Sequence, residues 1–167
     1  LLTDQLALLE ATPATRALAE HLIGHLDDDG YLRRDLESIV NDLAFTQGIE
    51  VEKEALEKAL HLVQTLDPAG VGARDLKECL LLQVSRKQDE KADSDSRQVS
   101  LARAASILTA HYDAFVKKHF AKMQFALDLG EDELRDAMEE LTRLNPNPGN
   151  SGSESSRTIH HVIPDFL

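Results

Sequence analysis

The sequence predicts an all-α fold of two small helical subdomains joined by a mobile linker. Three observations carry that expectation. Apolar residues recur at helical spacing along most of the 167 residues, and the apolar content of 42% is enough for a packed core. Aromatics make up only 4% and Trp is absent, so the core is aliphatic, rich in Leu and Ala, which suits helices better than sheets. A charged stretch without apolar periodicity, residues 86–98, separates the two runs of helices.

In chain order, Leu2, Leu6 and Leu9 share one face of a short opening helix. Thr12-Pro13 is a start signal, Thr as cap and Pro in the first turn. The helix that follows turns Leu18, Leu22, Ile23 and Leu26 inward and ends at Asp27-Asp28-Asp29-Gly30. Those aspartates are expected to end one helix and cap the next, with Tyr31 and Leu32 folded into the core. Leu36, Ile39, Val40 and Leu43 mark a further helix, and Gln47-Gly48 turns the chain into another, from about Glu52 to Leu66. Next comes L-D-P-A-G-V-G-A-R-D-L, a helix end, a rigid corner and a helix start. Pro68 cannot continue a helix, Gly70 and Gly72 allow a tight reversal around Val71, and Leu76, Cys79 and Leu80 form the next inner face. Asp75, or the residues just before it, caps that helix in this reading. Beyond the linker, Leu101, Ala105, Leu108, Tyr112 and Phe115 form one stripe on a single long helix. Helices near 119–127 and 131–144 close a three-helix unit, which Asn145-Pro146-Asn147-Pro148-Gly149 stops. The expected organisation is therefore 1–85, a linker 86–98, a second subdomain 99–149, and a flexible segment with a strand-like tail at 150–167.

Residues 51–70 align without gaps onto 129–148. Leu56, Ala59, Leu60, Leu66 and Pro68 then meet Leu134, Ala137, Met138, Leu144 and Pro146. Each copy follows a short helix and a tight turn, which is helix-turn-helix geometry. Charge argues against groove reading. The second copy sets Glu131, Asp132, Glu133, Asp136, Glu139 and Glu140 against Arg135 and Arg143. The net charge of −12 repels nucleic acid and anionic membranes alike. Lys117, Lys118 and Lys122 form the one basic cluster, a possible phosphate or partner contact.

No catalytic constellation, cofactor motif or metal site is assembled. Gly70-Val71-Gly72 lacks both the preceding strand and the full phosphate-loop pattern. The Asp27–Asp29 run fails as a calcium loop, because a Leu occupies the position that needs a bidentate Glu. His21 and His25 stand one turn apart without the Glu of a zinc helix. The single Cys, Cys79, lies on an apolar stripe and excludes an internal disulfide. With no signal peptide or long apolar run, a cytoplasmic protein is expected.

The string L-D-P-A-G-V-G-A-R-D-L-K-E-C-L-L-L-Q (66–83) resembles the signature of the core-binding region of the enhancer-dependent bacterial sigma factors, the sigma-54 class. L-D-D-D-G-Y-L (26–32) is similar to that family's earlier motif. L-N-P-N-P-G with I-P-D-F (144–149, 163–166) is similar to its later one. The resemblance implies a domain of a transcription-initiation factor, not an enzyme. It implies binding to the β and β′ subunits of core RNA polymerase, with no membrane or small-molecule ligand. Promoter DNA would be met only weakly, or through regions outside this chain. Activator response is likewise expected elsewhere. The expected contacts are Asp28, Asp29, Tyr31, Val71, Arg74 and Asp75, and Pro68, Gly70, Gly72 and Leu76 are expected to build the corner that orders the first unit. Arg74 and Asp75 either pair with neighbouring groups or, for Arg74, face the partner. The segment 119–129 matches the family loosely. The alternatives are a helix-turn-helix DNA-binding regulator and a metal-dependent helical module.

Overall fold

A computed structural model describes residues 2–90 and 94–150, and all of their regular structure is helical. The fold is all-α, as the spacing predicts. It divides into two units, residues 2–75 with 148–150, and residues 76–147.

The first unit holds α1 (Leu2–Ala7), α2 (Pro13–Gly24), α3 (Leu36–Gln47) and α4 (Lys53–Gln64). Local chemistry sets the ends. Thr12 Oγ1 accepts from the N–H of Thr15 at 3.1 Å, and Pro13 occupies the first turn. Asp35 caps α3 through Ser38 N–H at 3.1 Å, and Gly48 ends it at φ +64°. Helix α2 packs on α4, flanked by α1 and α3. Leu22, Ile39, Leu56, Leu60 and Val63 fill the space between them. Burying each such side chain contributes roughly 1.5–3 kcal/mol.

The second unit holds α5 (Leu76–Asp89), α6 (Asp95–Ala110), α7 (Tyr112–Val116), α8 (Phe120–Leu127) and α9 (Glu131–Thr142). Helix α6 lies between α5 and α9, over a core that includes Leu80, Ile107, Leu108, Phe115 and Met138. Glu140 is buried and accepts from Arg97 Nε at 3.1 Å and from Arg143 Nη1 at 2.8 Å. Nearby Lys87 is held below its ordinary pKa, chiefly by burial, which Glu140 partly offsets.

Three expectations are corrected. The stretch 86–98 is not a linker throughout, because residues 86–89 close α5 and 95–98 open α6. Its polar composition reflects the exposed ends of two helices, and Ser94 caps the second through Arg97 N–H at 3.4 Å. Helix α5 belongs to the second unit, so Leu76 packs against that unit's core rather than ordering the first. The long helix predicted through Phe115 breaks at His111 (φ −132°, ψ 32°). The His111 N–H still reaches the Ile107 carbonyl at 2.9 Å, so the apolar stripe continues across the break. The expected strand-like tail at 151–167 lies outside the described residues.

The repeat is legible in the fold and extends further than the sequence alignment. Helices α4 and α9 have the same length at the same 78-residue offset. The Gln5 side-chain amide brackets Asp67, donating to its carbonyl at 2.8 Å and accepting from its N–H at 2.7 Å. At the same offset, Gln83 brackets Asn145, accepting from its N–H at 2.7 Å and donating to its carbonyl. Both brackets hold the residue before a proline that ends the repeated helix segment. The two units are therefore built on one plan.

Candidate partner-docking site

The first two motif stretches form one hydrogen-bonded assembly. Asp27 organises the Asp-rich turn. Its Oδ1 accepts from the N–H groups of Asp29 and Tyr31, both at 2.9 Å, and Oδ2 meets Arg33 Nε at 3.3 Å. It does not cap the next helix, a role that falls to Asp35. The turn then runs beside the glycine corner. The Gly72 N–H donates to the Gly30 carbonyl and the Leu32 N–H to the Ala73 carbonyl, both at 2.8 Å.

Gly70 and Gly72 sit at φ +96° and +83°, the left-handed region their sequence pattern predicts. A Cβ on Gly72 would lie 3.2 Å from Val63 and Gln64 side-chain carbons of α4, so the corner seats closely on that helix. The Gln64 side-chain amide donates to the Gly72 carbonyl at 3.1 Å. Pro68 is half-buried, and its peptide with Asp67 is cis.

The end of the third motif, Pro148-Gly149, falls in the same unit. The Gly149 N–H donates to the Asp29 carbonyl at 2.8 Å, so the turn at Pro148–Asn150 sits directly on the Asp-rich loop. Nothing in the spacing of Gly30 and Gly149 announces this contact. Two glycines meet backbone to backbone, a pairing visible only in three dimensions.

The candidate contacts separate by burial. Asp28, Arg74 and Asp75 are exposed and Asp29 is half-buried. Tyr31 and Val71, by contrast, are core residues at 3% and 1% exposure. Arg33 lies over the Tyr31 ring, 4.3 Å from its centroid, a cation–π contact that covers it further. As surface contacts Tyr31 and Val71 are withdrawn; they shape the loop that displays the charges.

At the end of α2, the Nε2 atoms of His21 and His25 are 3.2 Å apart. Burial first, then the charge of His21 and Arg34, lowers the His25 pKa. Lys117 and Lys122 are exposed around α8, and Lys118 between them is half-buried at φ +62°. The outward positions of α9 include Glu131, Asp132, Asp136 and Glu139, the wrong sign for a groove-reading helix. Among the described residues no helix is long and apolar enough to cross a membrane.

A family model described as "Sigma-54 factor, core binding domain" matches residues 1–167. The chain is 38% identical over 157 residues to the RNA polymerase sigma-54 factor of Acidithiobacillus ferridurans, covering 93% of this chain and 30% of that protein. It is 32% identical over 163 residues to the factor of Pseudomonas aeruginosa, covering 98% and 31%. With the Escherichia coli factor it shares 31% over 163 residues, covering 98% and 32%. The chain thus spans about a third of the length of these relatives. With its three motif stretches in order and the family pattern covering it from end to end, the chain belongs to the sigma-54 factor core-binding-domain family.

Proposed function

We propose that this domain binds bacterial core RNA polymerase in the cytoplasm, through the β and β′ subunits, and acts by docking rather than by catalysis. The observation that carries the reading is the corner of the first unit. Two motif loops are hydrogen-bonded into one rigid assembly that leaves Asp28, Arg74 and Asp75 on the surface. The segment through Ser85 holds sixteen acidic and seven basic residues, which complements a basic polymerase surface. The acidic outer face of α9 favours a protein partner over duplex DNA, with promoter contacts weak at most.

Co-migration with core polymerase on a sizing column, at low and moderate salt, tests the reading. Binding that survives moderate salt is expected. A folded domain that fails to bind at either salt overturns it. Arg74→Glu, at an exposed side chain, is expected to weaken binding about tenfold, and the variant's melting curve separates that loss from a loss of folding. Unchanged affinity removes Arg74 from the polymerase contacts.

A further inference from the structure

The shared plan of the two units places one feature in both that neither motif explains. Phe45 and Phe125 are each 91% exposed, far more than the partly covered Phe120 at 37%. Each stands three residues before a left-handed helix cap, Gly48 at φ +64° after α3 and Asp128 at φ +53° after α8. Those two helices are the first arms of the two helix-turn-helix elements, preceding α4 and α9. A single exposed aromatic ring is ordinary on a protein surface. Counted back from the cap, rather than along the 78-residue register that sets Phe45 against Met123, the same ring at the same place in both elements is a second, independent observation.

The surroundings of the two rings differ in charge. One turn before Phe45 lies Asp42, which is ion-paired with Arg34. One turn before Phe125 lies the exposed Lys122. Residues 114–128 contain three Lys, one His and three Phe against a single acidic residue, the exposed cap Asp128 three residues after the ring, inside a chain of net charge −12. Exposed Ala121 and Ala126 flank Phe125 with little side-chain bulk, so its ring stands clear of the helix surface. Burying such a ring removes 150–250 Å² from water, enough to anchor an interface.

We propose that Phe45 and Phe125 are equivalent anchors, one per unit, that insert into apolar pockets of the core polymerase surface, the Phe125 pocket being rimmed with acidic groups. This rests on the docking function above. It adds two contact residues to Asp28, Arg74 and Asp75, and the second has the opposite charge preference to the first unit's acidic surface. A ring carried on a net positive segment selects an acid-rimmed pocket by charge complementarity as well as by shape.

The test is the affinity of the complete domain for core polymerase, measured with wild type, Phe45→Ser, Phe125→Ser, their double variant and Lys122→Glu. Melting curves should match wild type, since all three side chains are exposed. Each Ser variant is expected to weaken binding at least tenfold, and the double variant by about the product of the two. Lys122→Glu is expected to weaken it at least fivefold, an effect that shrinks as salt rises. Single variants within twofold of wild type overturn the proposal while leaving the docking function standing. Loss at only one ring overturns the equivalence. A wild-type domain that does not bind overturns both readings. Unchanged polymerase affinity alongside lost binding of a single-stranded oligonucleotide overturns the protein-partner assignment.

Discussion

Replacing Gly30 by Ala probes the contact that joins the first and third motifs. Gly30 sits at φ +90°, where an L side chain costs about 1–2 kcal/mol. The added Cβ would also lie 2.7 Å from the Gly149 nitrogen and 3.3 Å from Pro148 Cγ. The first of these is a backbone atom, so relief requires the whole Pro148–Asn150 turn to move. That movement breaks the 2.8 Å bond from the Gly149 N–H to the Asp29 carbonyl, a further loss of about 1 kcal/mol. The expected total is about 2–3 kcal/mol. Gly48 supplies the control. It also has positive φ, +64°, but a Cβ there meets nothing within 4 Å. Gly48→Ala should therefore show the backbone cost alone, at the low end of that range, about 1 kcal/mol, because φ +64° lies within the left-handed helical region. For a chain of this size these losses correspond to melting temperatures lower by about 5–10 °C and 2–4 °C. Far-UV circular dichroism during thermal and urea unfolding measures both. If the two variants melt together, the turn at 148–150 does not sit on the Asp-rich loop in solution, and the reasoning fails.

Two further predictions concern charge. Glu140→Ala should destabilise the second unit by about 2–4 kcal/mol, because it leaves Arg97 and half-buried Lys87 facing a site without its carboxylate. In a double-mutant cycle with Arg97→Ala the losses should be clearly non-additive, and simple additivity would show that the pair does not interact. The lowered pKa of His25 makes stability depend on pH. Its folded form binds a proton less readily than the unfolded chain, at the ordinary value of 6.5. Its contribution is therefore complete above that value and declines as pH falls from about 6.5 through the lowered pKa. Burial sets it first, then the charges of His21 and Arg34, with Asp42 opposing them. Melting temperatures between pH 7.5 and 5 should fall less steeply in His25→Gln than in wild type; identical slopes would show that His25 does not titrate differently on folding.

Much of the site was legible before the fold, and the exceptions have physical causes. The positive φ angles of Gly70 and Gly72 follow from a Pro-x-Gly-x-Gly string between two helices, since only glycine takes that backbone readily. Tyr31 is buried as expected, so the contact role also expected of it, and of Val71, does not hold; a loop has no periodicity from which to infer direction. Leu76 was assigned to the wrong unit for a related reason. A helix directly after a corner can pack on either side, and its sequence shows only that it has an inner face. Gln5 and Gln83 went unnoticed because a polar residue on an amphipathic helix looks solvated, although each holds a backbone segment 62 residues away.

What the sequence determined by itself is the local order. Helical periodicity, the Thr12 cap, the left-handed glycines, the repeated helix of α4 and α9, and the motif stretches that mark the family all depend on residues near one another in the chain. Tertiary structure decided the rest: that α5 joins the second unit, that Gly149 meets Gly30, that Asp27 organises its own turn while Asp35 caps α3, and that Phe45 and Phe125 occupy matching exposed positions. Backbone propensity and spacing act over a few residues. Burial, close approach and exposure depend on which distant segments share a core, and no local pattern encodes them.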